Sequence, residues 1–260
     1  AYINTIIING TGSFNLSVRA PLQTNSLTIG SQGSPLNNIS IQDTIIRLGT
    51  NSSLSFYGNT VNITGSFGTQ LAPFQSLTAQ TSSGGISFSG NAPSYINTIA
   101  ISGGTSAIAS FSAPLQTQTL NVGSTSSYLR TININNSIVG LNGGNPTITF
   151  YGNTVNVTGS LGTQIAPVQS FTAYTSSGGI NLSGSSTSYI TTFTITGGTT
   201  GVATFGAPLQ TQTLNVGSTS SYLGTININN SIVGLNGGNP AITLYGNIVN
   251  MNSSLGTTTP

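Results

Sequence analysis

Thirty-five residues starting at Phe56, FYGNTVNITGSFGTQLAPFQSLTAQTSSGGISFSG, return from Phe150 as FYGNTVNVTGSLGTQIAPVQSFTAYTSSGGINLSG, and a third start, LYGNIVN, lies at Leu244. The seventeen residues APLQTQTLNVGSTSSYL, from Ala113, recur unchanged from Ala207. Both series advance by 94 residues, and Tyr2, Tyr95 and Tyr189 advance by 93 and then 94. Every part of the chain therefore belongs to one repeating unit. Residues 20–112 and 113–206 are full units, 1–19 and 207–260 are partial ones, and 1–260 reads as a single array. Two architectures accommodate such a unit: a tandem array of β-sandwich domains, each ~100 residues, or a β-solenoid whose unit spans several coils.

A shorter period inside the unit favours the solenoid. Apolar i, i+2 pairs recur at Ile148/Phe150, Phe171/Ala173, Phe193/Ile195, Leu214/Val216 and Ile242/Leu244, spaced by 23, 22, 21 and 28 residues. A second series runs through Val155/Val157, Ile180/Leu182, Val202/Thr204, Ile226/Ile228 and Val249/Met251, spaced by 25, 22, 24 and 23. Side chains two apart share one face of a strand, so two series advancing together predict parallel strands stacked coil on coil. The expected fold is all-β: a right-handed parallel β-helix of about 23 residues per coil, four coils per unit and roughly eleven coils in total. The long interval holds SIVGLNGGNP (Ser137 to Pro146, again Ser231 to Pro240), which predicts an extra strand and a protruding turn. The repeated APLQTQTLNVGSTSSYL predicts a Pro-marked corner, a strand over 117–122 and a Gly-Ser turn.

Charge is nearly absent. Arg19, Arg47 and Arg130 are the only cations, Asp43 is the only acid, and the chain has no His, Cys or Lys. Nucleic-acid binding needs clusters of phosphate-neutralising cations. Glycosidic and metal-dependent chemistry needs paired carboxylates or an acidic oxygen cage. A Ser or Thr nucleophile needs a base that this composition does not supply. The expected protein is not an enzyme and takes no cofactor or metal. No apolar run approaches the ~20 residues of a spanning helix, so no membrane insertion of this segment is expected. With 36% hydrophobic residues and so few charges, the composition opposes disorder. Asp43 is expected at a turn or strand end, paired with Arg47. Arg130 is read as decoration, because the next copy has Gly224 in its place.

Segments such as GSLGTQIAPVQSFTAYTSSGGINLSG (Gly159 to Gly184) and TLNVG (Thr119 to Gly123) resemble repeats in the passenger domains of bacterial surface autotransporters, particularly the rickettsial-type outer-membrane adhesins. The resemblance covers most of the chain. It implies a right-handed parallel β-helix displayed outside the cell, and the membrane-barrel segment of that family has no counterpart here.

The expected role is a non-enzymatic extracellular structural protein of the cell surface, a stalk, fibre or filament subunit with an adhesive role. The chain opens at Ala1 on an ordinary repeat strand and falls about one coil short of three units. That fits a fragment of a longer array, or subunits that stack end to end as a homo-oligomer. Alternatives are an adhesin for carbohydrates or host surfaces and an ice-binding solenoid. Tyr57, Tyr151 and Tyr245 recur in register and are the candidate sugar-stacking residues; Tyr128 and Tyr222 also recur. Tyr packed between coils with a wet hydroxyl explains the same pattern. Thr two apart in TFTIT (Thr192 to Thr196) and TQTLN (Thr211 to Asn215) predicts an outward Thr ladder, interrupted by Asn215, Asn227 and Ser183. Asn-X-Ser/Thr sequons stand at Asn62, Asn135, Asn156 and Asn229.

Overall fold

A computed structural model describes residues 2–10 and 14–256. Thr147–Val157, TITFYGNTVNV, shows how the sequence makes the fold: Ile148, Phe150, Val155 and Val157 are buried, while Thr147, Thr149, Tyr151 and Asn156 keep contact with solvent. The strand bends at Gly152, where the register to the next coil shifts, so one strand serves two sides of the molecule. The pairing then repeats with an offset of one coil. Ile148 stands beside Phe171, Phe171 beside Phe193, Phe193 beside Leu214, and Leu214 beside Ile242. All of the strand-to-strand ladders are parallel. The antiparallel contacts are single bridges inside tight turns, as between Ser124 and Ser127.

The result is a parallel β-solenoid of about eleven turns with roughly 23 residues per turn. Tandem sandwiches, which need antiparallel sheets, are excluded. Each coil has three sides. A short one is formed by segments such as Leu22–Thr24, Leu115–Thr117 and Ile138–Gly140. A second contains Thr119–Val122 and the first half of Thr147–Val157. A third contains Leu129–Ile134 and Leu223–Ile228. Ile138–Gly140, expected as an extra strand in the long interval, is instead the ordinary short side of its coil, in register with Leu115–Thr117. The turn after it is a 3-10 turn, with Asn142 and Asn236 both at φ 53°, in the left-handed region.

The interior is an apolar column of Ile, Leu, Val, Ala and Phe, with buried Thr and Ser such as Thr117 and Ser188 beside it. Each fully buried large side chain contributes about 1.5–3 kcal/mol of transfer free energy. Phenylalanines meet within and between coils in two runs, Phe56–Phe67–Phe88–Phe111 and Phe150–Phe171–Phe193–Phe205, with ring centroids between 4.7 and 6.3 Å apart.

Three expectations need correction. On the coil containing GVATFG the inward pair is Ala203/Phe205, while Val202 and Thr204 face outward. Both parities of that tetrapeptide carry an apolar residue, and burial of the large phenyl ring decides between them. Thr211 is buried, as are Thr24 and Thr117. At this corner the chain turns between two sides, and the Thr211 hydroxyl donates to the carbonyls of Thr191 (3.3 Å) and Thr213 (3.0 Å). The first copy of the duplicated strand is broken at Gln118, into Leu115–Thr117 and Thr119–Val122, whereas the second runs unbroken over Leu209–Val216.

Candidate functional site

The charged residues have structural surroundings. Asp43 Oδ1 accepts the Thr44 amide at 2.7 Å, and Arg47 donates to the Pro73 carbonyl at 3.0 Å in place of the expected pairing with Asp43. The positions equivalent to Asp43 in the later units, Asn136 and Asn230, accept the amides of Ser137 and Ser231 at 2.8 Å. A neutral side chain thus does the same job, and the negative charge of Asp43 is not what this position requires. Arg130 is exposed.

Tyr57, Tyr151 and Tyr245 lie on one edge of the solenoid, successive ones four coils apart and so separated by about 19 Å. They do not form one site. Each sits against a corner glycine of the coil before it: Gly30, Gly123 and Gly217 have φ of 74°, 80° and 73°. A Cβ at any of them would lie 2.3–2.4 Å from the tyrosine carbonyl oxygen.

What surrounds the three rings differs. Tyr151 is enclosed: Tyr174 stacks on it at 4.6 Å with an interplanar angle of 6°, and Tyr128 meets it edge-on at 5.8 Å. Burial, with the neighbouring Tyr151 and Tyr174 phenols, raises the pKa of Tyr128 above the ordinary tyrosine value and holds that phenol neutral. Tyr245 is met edge-on by Tyr222 at 5.7 Å. Tyr151 therefore packs between coils and does not offer an open platform.

Tyr57 has no aromatic partner among the described residues. Its register neighbour in the next coil is Gln80, where the second copy has Tyr174. The residue before Leu36 on the coil below is Pro35, where the second copy has Tyr128. Replacing two rings by Pro and Gln leaves a groove of about 490 Å³ beside Tyr57. It runs past Ser31 and Gln32, Tyr57, Gln80, Gly103 and Ser126, and so spans five successive coils.

No protein-family model, curated protein or solved structure matches this chain.

The outer faces carry longer patterns than the sequence suggested. On the second side, one column reads Thr5, Ser26, Ser53, Ser76, Thr98, Thr119, Thr147, Ser170, Thr192, Thr213, Ala241. Its neighbour reads Ile7, Thr28, Ser55, Thr78, Ala100, Asn121, Thr149, Thr172, Thr194, Asn215, Thr243. Hydroxyl residues hold ten of eleven places in the first and seven of eleven in the second, and none of these residues is buried. Ser26 and Ser53 touch at 3.3 Å. The expected Thr ladder is therefore a mixed Ser/Thr sheet face. Asn227 and Ser183, read as interruptions, lie elsewhere: Asn227 is on the third side, and Ser183 follows the strand Val168–Leu182.

The third side carries amides. Asn156 donates to Asn133 at 3.0 Å and Asn250 to Asn227 at 2.8 Å, bridging coils. Of the sequon residues, Asn62 and Asn156 each donate Nδ2 to the coil before, and Asn135 donates Nδ2 to Ser112 at 3.1 Å. Attachment of a glycan at those nitrogens would replace these bonds.

Proposed function

We propose that this chain is a non-enzymatic structural rod of the cell exterior, a stalk or fibre element whose working part is its repeated surface. One observation carries the reading: parallel pairing continues from the first coil to the last, so backbone ladders and an apolar column hold the molecule with only one acidic and three basic side chains. Such a fold has little side-chain stability to lose to changes in pH, and few ion pairs for salt to screen. That insensitivity suits an unbuffered environment. The sequence resemblance to autotransporter passengers points the same way.

The rod is about 50 Å long for eleven coils at ~4.8 Å each. Its terminal coils leave a strand edge open, with the inward-facing Ile3 exposed at one end and Val249 and Met251 at the other. A further coil covers such an edge, whether it comes from a continuing chain or from a second copy. Negative-stain microscopy and analytical ultracentrifugation of the purified chain test the stacking. The expected result is unbranched fibres of constant width that lengthen with concentration. A compact monomer at every concentration would overturn end-to-end assembly.

The flat hydroxyl face favours a second reading, a surface that orders water on a lattice of ~4.8 Å between coils and ~7 Å along each strand. It carries none of the four charged residues. Ice-recrystallisation inhibition that disappears in Thr149→Lys/Thr172→Lys would support it. Equal recrystallisation with and without the protein would remove it.

A further inference from the structure

The two full copies of the repeat differ where their tyrosines lie, and the difference opens a groove in the first copy that the second copy fills. In the second, Tyr128, Tyr151 and Tyr174 close on one another with centroids at 5.8 and 4.6 Å. In the first, the corresponding residues are Pro35, Tyr57 and Gln80. Tyr57 keeps its place against Gly30 but loses both ring neighbours. We propose that this groove binds a linear, neutral oligosaccharide, with Tyr57 as the stacking platform.

The chemistry of the walls selects that class. Besides Tyr57, the groove is lined by the amides Gln32 and Gln80, by serine hydroxyls such as Ser126, and by Gly103 and Gly104; none of its lining residues is charged. An anionic or cationic ligand would find no counter-charge. A purely apolar ligand would leave the amides and hydroxyls without water or partners, which is costly. A sugar ring satisfies both demands, since its C–H face covers an aromatic ring while its hydroxyls exchange hydrogen bonds with amides and serines. The Gln80 side chain makes no protein hydrogen bond among the described residues, so its donors and acceptor are available.

Shape adds a second constraint. The groove is bounded by five coils, which span about 19 Å along the rod. Its volume of about 490 Å³ lies within the ~300–1,000 Å³ usual for small-molecule sites. An extended chain of sugar rings fits such a trough better than a single branched residue does. The far end is marked by Ser127, whose hydroxyl donates to the Gly103 carbonyl, and Tyr128 of the closed cluster follows it directly.

The copies themselves supply the controls. Gln80→Tyr installs the residue that the second copy carries at Tyr174, so it fills the groove with a side chain already accepted at that place in the fold. Tyr57→Ala removes the platform. Tyr151→Ala alters the closed cluster only. Calorimetric titration of the intact chain with cellohexaose, maltohexaose and chitohexaose is the measurement. At least one probe is expected to bind, with affinity lowered about tenfold or more by Tyr57→Ala and by Gln80→Tyr, and unchanged by Tyr151→Ala. Failure of all three probes to bind at millimolar concentration would overturn the proposal. So would binding that survives both groove substitutions with the melting temperature unchanged.

Discussion

Phe171→Ala is expected to destabilise the rod by about 3–5 kcal/mol, the usual cost of truncating a fully buried phenylalanine. The ring is inaccessible to solvent and sits between Phe150 at 5.3 Å and Phe193 at 4.7 Å, edge-on to both. The neighbouring coils are held by backbone ladders on both sides, so the cavity cannot collapse easily. The first copy shows which replacement the site tolerates. There Leu77 occupies the position of Phe171, and Phe88 occupies that of Leu182. The coil containing Phe74–Phe88 and the one containing Val168–Leu182 thus hold one Leu and one Phe each at these places, exchanged across the interior. Phe171→Leu alone is expected to cost about 1–2 kcal/mol, within the range for partial truncation. Adding Leu182→Phe should recover most of that loss, a non-additivity that a double-mutant cycle in urea would measure. Independent, additive costs would show that the coil interior does not conserve volume as a unit. Because each coil contacts only its neighbours, the Phe171→Ala transition is also expected to broaden or split, as the two halves of the rod unfold separately.

The same exchange explains what was legible in the sequence. The column Ile148, Phe171, Phe193, Leu214 and Ile242 is legible in the sequence, because apolar i, i+2 pairs spaced one coil apart have few alternative registers. GVATFG defeated that logic: Val202 and Ala203 are adjacent apolar residues, so periodicity fits either parity, and only the volume of Phe205 distinguishes them. Thr211 looks like any outward threonine. Its inward turn depends on the corner between two sides, where its hydroxyl bonds the Thr191 and Thr213 carbonyls while its backbone stays in register with Ile190. Tyr174 is silent in the repeat pattern because its counterpart in the first copy is Gln80. Departure from recurrence was the more informative signal for a site. Identical positions such as Tyr57 and Tyr151 have different surroundings because the residues one coil before and after them differ.

Gly179→Ala is expected to be as damaging as loss of the phenyl ring, although it adds one methyl group and removes nothing. Gly179 has φ 86°, and a Cβ there would lie 2.0 Å from the Val202 carbonyl oxygen and 2.4 Å from its nitrogen. Those atoms belong to the next coil, in a strand paired on both sides, so they cannot withdraw without breaking ladder bonds. Gly85 repeats the arrangement, with φ 90° and Ile108 oxygen at 1.9 Å. The local chain cannot rotate away either. Asn153 Oδ1, one coil back, accepts the amides of Ser177 (3.0 Å) and Gly178 (3.1 Å) and pins the excursion that ends at Gly179. Left-handed backbone costs an L-residue roughly 1–2 kcal/mol, and overpacking against a fixed neighbour adds about 1–3 kcal/mol, so a total of about 2–5 kcal/mol is expected. Gly143→Ala separates the two contributions. Gly143 has φ 75° but nothing within 4 Å of its Cβ position, so only the conformational cost of about 1–2 kcal/mol applies. Urea denaturation of the two variants side by side is the test. Equal losses would mean that backbone conformation alone makes these corners glycine, whereas a larger loss at Gly179 identifies the close approach of successive coils as the reason that the TSSGG corner is the same in both copies.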